Sequence, residues 1–243
     1  MIEHQTDIAT ADGTCSTFVV HPDRGGPFPV IIFLMDAPAI REELRDMARR
    51  FATSGYYVML PNLYYREAVM EIGAIEYEPD SPWRKKMADL MGTLSIPMVL
   101  RDVDAMLAYA DTDGAANAKS VGTIGYCMSG RFAVCAGGSR PDRVKATASI
   151  YGVRLVTDEE TSPHLVAKRS PAEFYFACAE RDHWAPQEMV DQLKRDLAGA
   201  HGEVEQYPDT DHGFGFPERR AYHKHGAEQH WQRVLALFAR NLK

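Results

Sequence analysis

Cysteine is scarce in this sequence and widely scattered. Four cysteines occur among the 243 residues, and no two have the Cys-x-x-Cys spacing of zinc knuckles and redox disulfides. Neither a disulfide framework nor a metal site is therefore indicated, and we expect a protein of the reducing cytoplasm that needs no cofactor. The four are Cys15, Cys127, Cys135 and Cys178.

Long apolar runs and an excess of positive charge are also missing. The longest apolar stretch, residues 30–35, is far shorter than the roughly 20 residues of a membrane span. The first residues lack the basic and apolar regions of a signal peptide. Asp and Glu number 34 against 27 Lys and Arg, a net charge of −7. Because an acidic protein repels phosphate backbones and anionic lipid, we expect no nucleic-acid partner and no membrane partner.

What the sequence does contain is an alternation of strand-like and helix-like segments. This order predicts an α/β fold, a mostly parallel central sheet with helices on both faces, in a single domain over residues 1–243. The first two strands flank a turn and predict an antiparallel hairpin at the sheet edge. Predicted strands cover residues 2–9, 14–21, 30–34, 56–60, 121–126, 146–151, 173–177 and 203–207, and predicted helices cover 40–53, 95–109, 129–136, 187–197 and 228–242.

Residues 64–97 are the one long stretch in which the apolar residues show no clear helix or strand periodicity. The segment is rich in Tyr and Met, contains Trp83, and is interrupted by Pro79 and Pro82. A long connection in a compact domain is more often a lid or a substrate-binding segment than a missed element, and both interpretations stay open here.

The most informative segment is residues 121–130, where an apolar strand runs into a helix through Cys127. Small residues, Gly125 and Ser129, lie two positions before and after this cysteine. That pattern is typical of a nucleophile elbow, in which the two small residues crowd each other beneath the nucleophile. The start of the helix also favours a thiolate. Ser129 is rejected as the nucleophile because Arg131 would occupy its crowded position. The alternative for Cys127 is a small buried core residue.

A thiol nucleophile needs a base and an orienting carboxylate, which α/β-hydrolases supply in the chain order nucleophile, acid, histidine. Asp182 follows the strand at 173–177, and His212 follows the strand at 203–207. Both are expected at the carboxyl edge of the sheet, where open α/β folds bind ligands. The adjacent His183 is interpreted as a surface residue.

Three further histidines lie close together near the start of the last helix. They could indicate a metal site, but no carboxylate-and-thiol set accompanies them, and a solvated face is the favoured interpretation. They are His223, His225 and His230.

Asp36 ends the first buried strand, where α/β-hydrolases contribute one N–H group to the oxyanion hole. Its carboxylate could cap the following helix, or it could face the thiol and accept its proton.

These residues resemble the dienelactone hydrolase family of α/β-hydrolases, over nearly the whole chain. The Gly125-Tyr126-Cys127 elbow is quite specific, because most α/β-hydrolases have Ser there. The resemblance implies Cys127 as nucleophile, Asp182 as acid and His212 as base. It also implies oxyanion-hole N–H groups from Ala37 and Met128, and a role for Asp36, usually Glu in the family, in deprotonating the cysteine when substrate arrives.

One departure from the family concerns the substrate. The family has an arginine four residues after the catalytic histidine that holds the substrate carboxylate, and here that residue is Phe216. Arg66 or Arg84, in the segment 64–97, could replace it, and the sequence does not choose between them. We therefore expect a preference for uncharged substrates. Aromatic residues expected at the substrate are Tyr64, Trp83, Phe214 and Phe216.

The sequence thus predicts a hydrolase that cleaves small-molecule carboxylic esters or enol-lactones through a thioester acyl-enzyme, as a monomer or small homo-oligomer. The alternative is a non-hydrolytic redox or ligand-binding protein that reuses the fold with a reactive cysteine. A serine peptidase is disfavoured, because no Gly-x-Ser-x-Gly occurs in the chain.

Overall fold

One eight-stranded sheet takes strands from the whole length of the chain, which a computed structural model describes over residues 1–243. The spatial order is β1-β2-β4-β3-β5-β6-β7-β8. Pairing is antiparallel between β1 and β2 and between β2 and β4, and parallel elsewhere. The predicted edge hairpin and the mostly parallel sheet are confirmed. The strands are β1 (Ile2–Thr10), β2 (Gly13–His21), β3 (Phe28–Leu34), β4 (Tyr57–Pro61), β5 (Ala116–Tyr126), β6 (Val144–Ile150), β7 (Glu173–Arg181) and β8 (Gly202–Asp211).

Seven α-helices accompany the sheet, and none of them is long and apolar enough to cross a membrane. Short 3-10 turns cover Tyr65–Glu67 and Cys127–Ser129. The helices are α1 (Glu42–Thr53), α2 (Pro82–Gly92), α3 (Ile96–Ala110), α4 (Gly130–Ser139), α5 (Pro163–Lys168), α6 (Gln187–Leu197) and α7 (Lys224–Asn241).

Helices cover both faces of the sheet, as two neighbouring residues of β5 demonstrate. Gly122 faces α7, because a Cβ atom there would lie 2.8 Å from the ring of Phe238. The next residue, Thr123, faces α4, since its hydroxyl donates a hydrogen bond to the Ala133 carbonyl oxygen at 3.2 Å. Successive side chains in a strand point to opposite faces, so α7 and α4 lie on opposite sides. Strands covered in this way are continuously apolar, which is why β3 and β4 read as uninterrupted hydrophobic runs.

The segment 64–97 is more regular than the sequence suggested, because it contains α2. Pro82 occupies the first turn of this helix, and the Ser81 side chain accepts a hydrogen bond from the Arg84 N–H at 3.2 Å. Serine followed by proline is a typical helix start. The helix escaped detection because it buries only Trp83 and Leu90 and so has little amphipathic pattern. The short α5 was also not predicted.

Candidate active site

The turn after β5 holds Cys127 in a conformation that few non-glycine residues adopt. Its φ angle is +54°, in the left-handed region, and the backbone then enters the 3-10 turn that leads into α4. A Cβ atom on Gly125 would lie 2.2 Å from the carbonyl oxygen of Ser129, so only glycine fits there. The Ser129 hydroxyl donates to the carbonyl oxygen of Met35 and ties the turn to the end of β3. The predicted strand–turn–helix is therefore present around Cys127.

Gly125→Ala should destabilise the fold by about 3 kcal/mol, because the added methyl group must push apart backbone atoms of the elbow. Hydrolytic activity should fall with it, since the same shift moves Cys127. Urea unfolding and ester hydrolysis measure the two effects. The matched control is Gly92→Ala at the end of α2, where an added Cβ meets nothing within 4 Å. Equal stability of the two variants would contradict this account of the turn.

Cys127 differs from the other three cysteines in its surroundings. Those three are buried, and burial raises the pKa of Cys15, Cys135 and Cys178 to about 12. They therefore stay protonated and unreactive at neutral pH. Cys127 is partly exposed and lines a cavity of about 400 Å³ that opens at the carboxyl edge of the sheet.

The structure brings Asp182 against His212, which lines this same cavity, although 29 residues separate the two along the chain. The His212 Nδ1 atom lies 2.7 Å from Asp182 Oδ2, within hydrogen-bonding distance. The other oxygen, Oδ1, accepts hydrogen bonds from the N–H groups of Trp184 at 2.9 Å and Ala185 at 3.1 Å. The Asp182 side chain is fully buried, and that of His212 is 20% exposed. The carboxylate is thus fixed, and it fixes the ring in turn.

The charge state of His212 follows from its neighbours. Burial of the ring lowers the pKa of His212, but the negative charge of a Cys127 thiolate and the hydrogen bond to Asp182 outweigh burial and raise it to about 10. The imidazolium is therefore favoured at neutral pH when the sulfur is ionised. A thiolate beside an imidazolium is the activated form of a cysteine nucleophile.

Tyr64 is buried and is not part of the cavity wall. Its side chain is fully buried, its hydroxyl donates a hydrogen bond to the Ala37 carbonyl oxygen at 2.9 Å, and it also contacts the Met128 sulfur at 3.5 Å. Ala37 lines the cavity beside Cys127, and Met128 is the second residue of the 3-10 turn that follows β5. N–H groups at the start of a helical turn have no intrahelical acceptor. Tyr64 thus holds both residues whose N–H groups were expected to form an oxyanion hole, and it does not line the cavity.

Of the other residues expected at the substrate, three line the cavity and two do not. Trp83, Arg84 and Phe216 line the cavity. Arg66 does not, because its guanidinium binds Asp102 at 2.7 Å near the β1–β2 hairpin. Phe214 is buried in the core and is also away from the cavity wall.

Asp36 lines the cavity, but two arginines occupy its carboxylate. Arg41 donates to Oδ1 at 2.6 Å and Arg219 donates to Oδ2 at 2.7 Å. Asp36 offers one negative charge to two guanidiniums. Glu43 supplies a second negative charge, since its carboxylate lies 2.7 Å from Arg41. The side chain of Asp36 does not cap α1, whose N-cap is Arg41, so the capping interpretation is wrong.

Among the cavity residues that sequence reasoning missed, Arg219 and Tyr151 carry polar groups close to the site. Arg219 lies seven residues after His212 in an irregular loop, where no local pattern marks it. Tyr151 directly follows β6, and that place at the carboxyl end of a parallel strand was an available signal. Its ring packs edge-on against His212 at 5.1 Å between centroids, and its buried hydroxyl has no hydrogen-bond partner.

The remaining histidines are not part of this arrangement. His183 is exposed and packs against Trp184. The His223 ring accepts a hydrogen bond from the Gly226 N–H and caps α7. His230 is fully buried, with Nε2 at 3.1 Å from the Tyr126 hydroxyl, so it is not on the solvated face expected from the sequence.

Comparison with known proteins gives consistent results. The model of the dienelactone hydrolase family matches residues 15–242. A Synechocystis sp. protein named "Putative carboxymethylenebutenolidase" is 30% identical over 233 residues, 93% of this chain and 92% of that protein. A Bradyrhizobium sp. protein named "Probable 2-oxo-3-(5-oxofuran-2-ylidene)propanoate lactonase" is 25% identical over 94% of this chain and 90% of its own length. The crystal structure of a "Putative Dienelactone Hydrolase" from Klebsiella pneumoniae superposes with a TM-score of 0.86, at 27% identity over 98% of each chain. The α/β-hydrolase fold is thereby confirmed.

Proposed function

Because the chain belongs to the dienelactone hydrolase family of hydrolases, we propose that it cleaves carboxylic esters or lactones with Cys127 as the nucleophile. His212 is the base and general acid, and Asp182 orients it. The observation that carries this proposal is the meeting, in one cavity, of a cysteine on a left-handed elbow with a histidine hydrogen-bonded to a buried aspartate. Replacement of Cys127, together with a search for an acyl adduct on it, tests the proposal.

In the first step, the Cys127 sulfur attacks the carbonyl carbon of the substrate. The carbonyl oxygen becomes an oxyanion, which accepts hydrogen bonds from the N–H groups of Ala37 and Met128. Each such donor is typically worth about 3–4 kcal/mol in the transition state. When the carbon–oxygen bond to the leaving group breaks, the His212 imidazolium gives its proton to the departing oxygen. The product is a thioester on Cys127.

In the second step, a water molecule hydrolyses this thioester. Neutral His212 takes a proton from the water through Nε2, because Nδ1 is committed to Asp182. The hydroxide adds to the thioester carbon, the carbon–sulfur bond breaks, and the acid leaves. Thiolate and imidazolium are restored together.

The cavity favours a substrate that carries a carboxylate, contrary to the expectation from Phe216. Arg84 and Arg219 both line the cavity, and each has a buried Nε atom without a hydrogen-bond partner. A buried donor of this kind is costly unless a ligand completes it. The names of the Synechocystis and Bradyrhizobium relatives describe lactones bearing a carboxylate. We therefore assign Arg84 and Arg219 to the substrate carboxylate, and residues 64–97 to one wall of the substrate site.

A substrate carboxylate at Arg219 would compete with Asp36 for the same guanidinium. Loss of that contact would leave Arg41 as the remaining partner of Asp36, at 2.6 Å from Oδ1 and 3.2 Å from Oδ2. The negative charge that Asp36 presents to the cavity would then depend on the charge of the substrate, which fits the part in cysteine deprotonation that the family resemblance implies for Asp36.

Arg84→Gln should raise KM about tenfold for an ester that carries a free carboxylate on its acyl chain, because a charge-assisted hydrogen bond is worth roughly 1.5–3 kcal/mol. KM for the corresponding methyl-capped, uncharged ester should not change. The matched control is Lys85→Gln, which removes a positive charge from the next residue of the same helix but lies outside the cavity. An equal rise in KM for both esters would refute the assignment of Arg84.

A further inference from the structure

A second cavity lies beside the candidate active site and shares Met91 with it. It has a volume of about 530 Å³ and lies between α3, α4 and the connection from β6 to α5. Cys127, Asp182 and His212 are not in its wall. It is therefore a separate cavity, to which the hydrolytic mechanism gives no role.

Two arginines line this second cavity without any carboxylate bound to them. The Arg131 Nε atom is buried and has no hydrogen-bond partner, and its guanidinium lies 4.6 Å from the centre of the Phe132 ring. Arg154, on the loop after β6, is exposed. Burial, and after it the nearby positive charge of Arg154, lowers the pKa of Arg131. Arg140, just beyond the end of α4, binds Asp104 at 2.7 Å instead. Two neighbouring guanidiniums with free donors form a site for an anion.

The rest of the wall indicates what kind of anion fits. Met91, Ile96, Leu100 and Val166 line the cavity and are only partly buried. An apolar group seated on these side chains would remove them from water, which a bare inorganic anion cannot do. Glu159 is the one carboxylate in the wall; it is exposed and accepts a hydrogen bond from Thr161 at 3.4 Å.

We propose that the second cavity binds an organic carboxylate with an apolar body, its carboxylate between Arg131 and Arg154 and its body against Met91 and Leu100. The site is distinct from the cavity of Cys127. Its ligand has the chemical class of the acids that an ester hydrolase releases. The inference itself rests on the second cavity alone and holds whether or not Cys127 is the nucleophile.

The test uses 3-(4-bromophenyl)propanoate as the probe, on the full chain. Isothermal titration gives its affinity, and anomalous scattering from bromine in a soaked crystal locates it. We expect the bromine near Leu100, which lines the second cavity and not that of Cys127. Arg154→Gln and Arg131→Met should each weaken binding at least tenfold, whereas Glu159→Gln, which removes the opposing charge, should tighten it. Arg195→Gln, an arginine in neither cavity wall, should leave the affinity unchanged.

Three results would overturn the inference. One is bromine found only in the cavity of Cys127. Another is an affinity equal to that of the probe for 3-(4-bromophenyl)propan-1-ol, which lacks the charge, or for inorganic phosphate, which lacks the apolar body. The third is unchanged affinity in Arg154→Gln, an exposed position whose variant should fold even if loss of Arg131 destabilises the protein.

Discussion

Cys127→Ala is expected to reduce kcat/KM for ester hydrolysis by at least about 10⁴-fold, the loss typical of removing the nucleophile from a catalytic unit. No other side chain in the cavity can replace the sulfur. Ser129 is the nearest hydroxyl along the chain, but it is buried and bound to the Met35 carbonyl oxygen. Folding should be little affected, because alanine keeps the Cβ atom and Cys127 is only partly buried.

The measurement combines steady-state kinetics with mass spectrometry. Wild-type protein quenched during turnover of a chromogenic acetate ester should carry one acetyl group on Cys127. Iodoacetamide should label the same residue and abolish both activity and acetylation. The control is Cys178→Ala, which removes a buried thiol whose pKa is raised to about 12 by burial and should leave activity intact.

Two outcomes would contradict the assignment. Retained turnover by Cys127→Ala would show that the nucleophile is a different group. Rapid alkylation of Cys127 without hydrolysis of any ester or lactone in a broad panel would favour a redox or ligand-binding role for the thiol.

The sequence was sufficient to predict the parts of the fold that depend on local pattern. Buried parallel strands are continuous apolar runs, and residues that follow such strands must meet at one edge of the sheet. For that reason the sequence alone was enough to pair Asp182 with His212. The elbow was also predictable, since the clash at Gly125 is a property of residues only four apart.

What could not be predicted depends on contacts between distant loops. Arg219 reaches the cavity from a loop with no periodic pattern and meets Asp36, 183 residues away. Tyr64 is an aromatic residue in a plausible substrate segment, yet its hydroxyl is used to hold the Ala37 carbonyl oxygen. The expectation of an uncharged substrate stays untested, and Arg84 and Arg219 in the cavity wall support the opposite proposal. It followed from one position, Phe216, whereas the charge of a cavity depends on every loop that lines it.

Asp182→Asn is expected to lower kcat/KM by about 10³- to 10⁴-fold, the loss typical of removing the orienting carboxylate of a triad. Asparagine keeps the size of the side chain, but its amide can turn its NH₂ group toward His212. The ring would then present Nδ1 as an acceptor and carry its proton on Nε2, which is the wrong tautomer for taking a proton from water.

The same variant should change the pH dependence of the reaction in a defined direction. The hydrogen bond to Asp182 and its negative charge are among the causes that raise the pKa of His212 to about 10. Removing that charge disfavours the imidazolium, so the pKa must fall. Because the leaving group takes its proton from the imidazolium, the alkaline limb of kcat/KM should move to lower pH. The matched control is Asp211→Asn, which removes an exposed carboxylate directly before His212 that binds Arg181 at 3.1 Å. If both variants have the same rate and the same profile, Asp182 acts only through its charge at a distance and does not orient the ring.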